Sequence, residues 1–263
     1  MSKLQHFSVV IVAGGKGLRA GGEIPKQFQP IGEKPMLMRT IEAFYNFDDQ
    51  MRIVIVLPEE FRHLWNELCE KHNFRLSHTI VSGGETRFHS VKNGLSEIPE
   101  EEIVGIHDAA RPFVSKEVIG RCYREAFDFR CGIIPVIEER NSVRILTAYE
   151  NKAFDRERIR VVQTPQVFPA GLLKNAYETP YREEFTDDAS VAEDDGIQIK
   201  LVECDEKNIK ITTPLDLRFA EFLYRDNLIF DHSLYTLVYG CSGYTALFCH
   251  ISEWDTCILC DNL

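Results

Sequence analysis

The sequence predicts an α/β fold with a mostly parallel, twisted sheet covered by helices on both faces. Two observations carry this. Short β-branched apolar runs alternate along the chain with segments whose apolar residues recur at helical spacing. Three glycine-, arginine- or proline-marked loops follow strand-like runs directly, which places them together at the carboxyl edge of a parallel sheet.

In chain order, residues 8–13 (SVVIVA), 52–57 (RIVIVL), 78–81 (HTIV), 103–107 (IVGIH) and 132–137 (GIIPVI) read as buried strands. Between them, 36–47, 60–72, 86–98 and 116–129 read as amphipathic helices, with Phe61, Leu64, Trp65, Leu68 and Cys69 on one face. Residues 138–160 break the pattern: eleven Arg, Lys, Asp and Glu side chains and short alternating stretches read as a solvated β-hairpin arm or an insertion. Then follow VVQTPQVF, helices at 170–177 and 187–194, and a strand at 197–203. Thr213, Pro214 and Asp216 form a capping-box signature for a helix ending near Leu228. Residues 229–263 differ in character, aromatic and cysteine-rich with little charge, and are expected to be a peripheral tail or a partner contact; residues 1–228 form the main domain.

Composition excludes several classes. The 263 residues are 44% hydrophobic and carry a net charge of −11, so a sizeable core is available and no basic stripe invites nucleic acid. No apolar run reaches the roughly 18 residues that suggest a membrane helix. The N-terminal apolar stretch runs straight into glycines and reads as a first strand, not a signal peptide. Eight cysteines lack framework spacing, which fits reduced thiols in the cytoplasm.

Against the acidic background, local cations stand out. IVAGGKGLRAGGEIPKQF (11–28) holds five glycines and brings Lys16, Arg19 and Lys26 around one loop. Gly15-x-Gly17-x-x-Ala20 matches a dinucleotide fingerprint weakly, because Gly21, Gly22 and Pro25 prevent a helix from starting there. No Gly-Lys-Ser/Thr ends the loop, so it is not a P-loop. A backbone able to approach a ligand closely, with Arg19 and Lys26 beside it, suits several phosphates; a surface loop with incidental cations is the plain alternative. In HDAARPF (107–113), Asp108 falls at a strand end where a carboxylate can hold Mg²⁺ against phosphate oxygens, and otherwise pairs locally with Arg111. TPQ (164–166), TDDAS (186–190) and NIKIT (208–212) supply hydroxyls, carboxylates and Lys210, each alone more common as a turn, a cap or a solvated lysine.

Taken in order, G-G-x-G-x-R, P-K-Q, G-G-E-x-R-x-x-S-V, H-D-A-A-R-P, D-R…T-P-Q, T-D-D-A-S and N-I-K-I-T resemble the 2-C-methyl-D-erythritol 4-phosphate cytidylyltransferase family across residues 9–228. Ribitol-5-phosphate cytidylyltransferases share most of these motifs, and the Ala-Ala pair of HDAARP points to the erythritol enzyme. The resemblance implies a Rossmann-like nucleotidyltransferase fold and transfer of cytidylyl from CTP to a polyol phosphate with Mg²⁺, in non-mevalonate isoprenoid synthesis. It assigns Arg19, Lys26 and Lys210 to catalysis. The nucleotide falls to Ala13, Gly14, Gly15, Gly17, Gly84, Glu85 and Ser90. The substrate side falls to Asp108, Arg111, Ser142, Arg156, Thr164 and Thr186, with Asp108 on the metal and Asn208 a second candidate ligand. It also implies a homodimer, with Ser142 and Arg156 carried by the arm into the partner's site. Cys204, where glycine is usual, and Glu85, where Asp is common, depart from the pattern. A non-catalytic nucleotide-binding regulator fits poorly with retention of Arg19, Lys26, Asp108 and Lys210. An NAD-linked dehydrogenase lacks its ribose-binding carboxylate, since Glu33 and Glu42 precede the second strand.

Overall fold

The structure, a computed structural model, describes residues 6–14 and 24–239, of which 227–239 by backbone only. Its centre is an eight-stranded sheet. Strand β1 (Phe7–Val12) lies parallel between β4 (Arg52–Leu57) and β6 (Ile103–Asp108), and β5 (Thr79–Ser82) adds to the far side of β4. These strands are apolar at successive positions because both faces are covered. Val9 and Ile11 point to a cluster with helices α1 (Met36–Phe47), α2 (Arg62–Lys71) and α4 (Lys116–Phe129). Val10, Val54, Val56, Val104 and Ile106 point to the other side, under α3 (Arg87–Leu95), α5 (Ala170–Ala176) and α6 (Asp188–Asp194). The expected face of α2 is realised: Trp65 is fully buried and Phe61, Leu64, Leu68 and Cys69 pack beside it.

Beyond β6 the sheet becomes mixed. β7 (Gly132–Glu138) is flanked by parallel β12 (Ile199–Glu203) on one side and by two antiparallel strands on the other. These two come from the single stretch VVQTPQVF, which splits into β10 (Arg160–Val162) and β11 (Gln166–Pro169) around a cis Thr164–Pro165 bond. β11 inserts antiparallel between β6 and β7. The charged excursion is a hairpin of β8 (Val143–Leu146) and β9 (Asn151–Phe154), followed by one short 3-10 turn at Arg156–Arg158.

Two features differ from the sequence expectation. A small hairpin, β2 (Pro30–Ile31) with β3 (Lys34–Pro35), leads into α1; its two-residue strands are too short to show a period. The last described helix, α7 (Pro214–Tyr239), passes Leu228 and continues to Tyr239, so the expected stop is corrected. Apolar residues continue at 228–230, 234–235 and 237–239, and no Gly or Pro interrupts them. Its start is as expected: Thr213 Oγ1 accepts from Asp216 N at 3.2 Å while the Asp216 carboxylate accepts from Thr213 N at 2.8 Å. A third apolar cluster of Ile31, Met36, Ala110, Ile211 and Ala220 joins α7 to the β2–β3 hairpin.

Helix α3 approaches the sheet closely enough that a Cβ on Gly94 would strike the side chains of Val10 and Val56. Gly94→Ala is therefore expected to destabilise the protein by about 1–3 kcal/mol, overpacking outweighing the roughly 1 kcal/mol gain in helix propensity. Urea unfolding checks this; a variant at or above wild-type stability contradicts the close packing.

Candidate active site

The register of the parallel strands brings their carboxyl ends level: Val12 pairs with Asp108 and Val56, and Leu57 with Ser82. The ladder continues past the strand ends through Ala13 N to Val56 O at 2.9 Å, Ala109 N to Val12 O at 3.1 Å and Gly83 N to Leu57 O at 2.8 Å. A cleft of about 980 Å³ opens there. Ala13, Gly14 and Lys26 line it from the first loop, Gly84, Glu85 and Ser90 from the second, and Asp108 with its ion-pair partner Lys210 from two further segments. Eight residues expected from separate motifs thus line one cleft.

Each is held for a local reason. Gln27 Nε2 donates to Ala13 O at 3.2 Å, tying the P-K-Q turn to the end of β1, and Lys26 Nζ donates to Ile211 O at 3.4 Å. Gly84 N donates to Ser90 Oγ at 3.0 Å, and a Cβ on Gly84 would collide with His89, so the backbone lies flat on the first turn of α3. Thr86 caps that helix, its side chain accepting from His89 N. Lys210 precedes Ile211, whose N–H donates to Ala110 O at 2.9 Å and whose side chain is buried in the third cluster.

Asp108 is the electrostatic centre. Burial alone would raise its pKa, but Lys210, then Arg87 and Arg111, overcome this and hold the carboxyl far below the usual range. Lys210 Nζ stands 2.9 Å and Arg111 Nε 3.4 Å from Asp108 Oδ2. Arg111 lies behind the cleft wall, buried, with Nη1 donating to Asn208 O at 2.7 Å. His107 is fully buried and locks the turn. The Arg111 carbonyl, 3.0 Å from Nε2, can only accept, so Nε2 carries the hydrogen. Nδ1 therefore accepts from the Thr164 hydroxyl at 2.9 Å, and that oxygen accepts from Asp108 N at 3.2 Å. Burial lowers the His107 pKa to about 4, keeping the ring neutral.

The remaining expected residues stand elsewhere. Thr164 is buried against His107, one bond from the cis proline. Thr186 is exposed just before α6. Ser142 and Arg156 sit at the arm, Arg156 donating to Arg140 O at 2.7 Å and lining a separate pocket of about 510 Å³. Asn208 is fully buried and does not line the cleft; its Nδ2 donates to Thr164 O at 2.8 Å, whereas its Oδ1 has no partner. Gly15, Gly17 and Arg19 lie outside the described residues.

Sequence reasoning passed over Arg87, which also lines the cleft. The signal was present as the arginine of G-G-E-T-R, whose glycines and serine drew the attention. Its guanidinium is held by Asp188 of the T-D-D-A-S motif, Nη1 to Oδ1 at 3.0 Å and Nη2 to Oδ2 at 2.6 Å.

Among the described residues no cluster of three His, Cys, Asp or Glu side chains is arranged to cage a metal. Asp108 offers the cleft an ionised, hard-oxygen carboxylate, and both of its cation contacts use Oδ2. That donor fits Mg²⁺, which commonly takes one or two carboxylates and completes its shell with phosphate oxygens and water.

The sequence model of the family described as 2-C-methyl-D-erythritol 4-phosphate cytidylyltransferase matches residues 7–226. A Bacteroides fragilis protein of that name is 56% identical over 216 residues, covering 82% of this chain and 98% of its own length. The crystal structure of the Francisella tularensis 2-C-methyl-D-erythritol 4-phosphate cytidylyltransferase is 31% identical with a TM-score of 0.69, over 83% of this chain and 99% of that one. A 4-diphosphocytidyl-2C-methyl-D-erythritol synthase from Anaerococcus prevotii superposes with a TM-score of 0.71 at 25% identity, over 84% and 99%.

The neutral His107 has a thermodynamic signature. Its folded pKa of about 4 lies below the ordinary 6.5, so the unfolded chain binds the extra proton. The stability it contributes is complete above pH 6.5 and is lost as the pH falls towards 4, about 3 kcal/mol in all. Denaturation curves from pH 7.5 to 4.5 should therefore fall more steeply for wild type than for His107→Gln; parallel curves contradict the assignment.

Proposed function

The chain belongs to the 2-C-methyl-D-erythritol 4-phosphate cytidylyltransferase family, and from that premise we propose that the 980 Å³ cleft is its catalytic centre. The chain transfers cytidylyl from CTP to 2-C-methyl-D-erythritol 4-phosphate, giving 4-diphosphocytidyl-2-C-methyl-D-erythritol and pyrophosphate in isoprenoid precursor synthesis. The observation that carries the site assignment is the convergence of Lys26, Lys210 and Arg87 with one ionised carboxylate, Asp108, at the carboxyl edge of the sheet.

In this reading an oxygen of the acceptor phosphate attacks the α-phosphorus of CTP. A new P–O bond forms, the bond from the α-phosphorus to the bridging oxygen breaks, and pyrophosphate leaves with the electron pair. The acceptor phosphate is already ionised near neutral pH, so no general base is needed, and positioning with charge stabilisation supplies the rate. Lys26 and Arg19 grip the triphosphate; Lys210 reaches the α-phosphate. Asp108 would hold Mg²⁺, which neutralises phosphate oxygens when bound. Ala13, Gly14, Gly84, Glu85 and Ser90 of the cleft take the cytosine, a role the resemblance also gives to Gly15 and Gly17. Arg111, Thr164 and Thr186 bound the acceptor side.

The arm completes the acceptor site in a cytoplasmic homodimer, Ser142 and Arg156 serving the partner. In support, the β8–β9 hairpin leaves Leu146 79% and Tyr149 99% exposed, apolar area that a second protomer would cover. Leu146→Asp should convert the dimer to monomer in sedimentation while leaving the fold intact; an unchanged monomer for wild type and variant alike removes the dimer from the proposal.

Pyrophosphate release is the direct test. Wild type with Mg²⁺ should release it with CTP and 2-C-methyl-D-erythritol 4-phosphate and with no other nucleoside triphosphate; release only with ribitol 5-phosphate overturns the acceptor. Lys26→Ala and Lys210→Ala should each lower kcat by about 10²–10⁴-fold, the scale of losing a transition-state charge contact. Near-wild-type turnover in both would show that the cations serve another purpose.

A further inference from the structure

Two halves of the site are carried by different helices. The nucleotide side is built on the first turn of α3, where Arg87 follows the Thr86 cap and Ser90 holds Gly84. In the catalytic reading above the acceptor side includes Thr186, directly before α6, whose first turn carries Asp188 after Asp187. Gln166, two residues after Thr164, fixes this second turn, donating to Asp187 Oδ2 at 2.8 Å and accepting from Ala189 N at 2.9 Å.

The halves meet in the Arg87–Asp188 pair. Asp188 is fully buried, and the Tyr177 hydroxyl donates to the same Oδ1 at 2.6 Å. Two parallel N–H···O bonds fix the fork in distance and in angle, which one lysine contact could not do. Burial of Asp188 screens its side of the pair from salt, and Phe88 stacks on Tyr177 and Phe185 next to it, at 4.7 and 5.8 Å. The other face of the contact is the cleft itself, where Arg87 adds to the field at Asp108. A buried ion pair is a poor device for stability alone, since desolvation offsets most of its attraction. Its geometry makes a good joint.

We propose that the Arg87–Asp188 pair is a positioning element that couples the two halves, so that nucleotide bound on α3 strengthens acceptor binding on α6. The inference rests on the catalytic reading above. Its basis is shared ordering: a ligand that holds the first turn of α3 also holds that of α6, and the second ligand then has less left to order. Coupling between two binding free energies is reciprocal, so either ligand can serve as the reporter.

Calorimetry on the full chain, with Mg²⁺, measures the affinity for 2-C-methyl-D-erythritol 4-phosphate with and without saturating α,β-methylene-CTP. In wild type the nucleotide analogue should tighten the acceptor by about 5-fold or more, the lower end of ordinary coupling. In Asp188→Asn the ratio should fall close to one while each ligand still binds alone. Because that variant leaves a partly exposed arginine without its counter-charge, the double variant Arg87→Met/Asp188→Leu provides a second arm, replacing both charges by apolar groups of similar size. The double variant is read only at analogue concentrations shown to saturate it, since Arg87 itself lines the cleft. It should keep the wild-type melting temperature and still lose the coupling. A ratio of one in wild type, or an undiminished ratio in both variants, overturns the inference while leaving the catalytic reading in place. Wild type that binds neither ligand overturns both.

Discussion

The site depends on one constraint: several cations must be held within reach of the same polyanion before that polyanion arrives. Left alone, Lys210, Arg111 and Arg87 would repel one another across a partly desolvated floor. Asp108 resolves this from the centre and Asp188 from behind, each a carboxylate at or near the start of a turn and each almost removed from water. The strand register does the rest, since Val12 opposite Asp108 sets the first loop beside the third. A chain with a net charge of −11 thereby gathers Lys26, Arg87 and Lys210 along one cleft without a basic surface.

Rigidity of this arrangement comes from neutral chemistry around it. The His107 ring joins the carbonyl of Arg111 to the hydroxyl of Thr164, and through it to the amide of Asp108, so three backbone segments close into a single hydrogen-bonded unit. Thr40 Oγ1 donates to Ala109 O at 2.9 Å from α1, and Arg111 reaches Asn208 O from the opposite side. Both lysines are steadied by the segment around Ile211, one through its carbonyl and one through its place in the third cluster.

Much of this was legible before the structure. Strands buried on both faces and helices with a sustained apolar stripe announce themselves because period and burial coincide, as in β1, β4, β6 and α2. The carboxyl-edge rule then gathered the glycine loop, the second glycine turn and the Asp108 segment. What escaped was short or non-periodic: the two-residue strands β2 and β3, and the division of VVQTPQVF at Thr164–Pro165 into two strands that both run antiparallel to β7. Arg87 escaped for a different reason. Its partner lies 101 positions away, and only the folded chain shows that two motifs read as separate are one contact. Ser142 and Arg156, assigned by resemblance, stand apart from the cleft of their own chain, a separation that no local pattern encodes.

The inner face of α7 is fastened to the β2–β3 hairpin. Glu221 accepts from Gly32 N at 2.7 Å, the Arg39 guanidinium lies 3.8 Å over the Tyr224 ring, and Gly32 has φ +60 with no room for a Cβ beneath that ring. The helix is therefore bolted to the β2–β3 hairpin and to α1, and its backbone continues well past the last bolt. No described residue of α7 lines the cleft, so torque applied to the far end by a fused domain or a surface tether would meet the hairpin before the site.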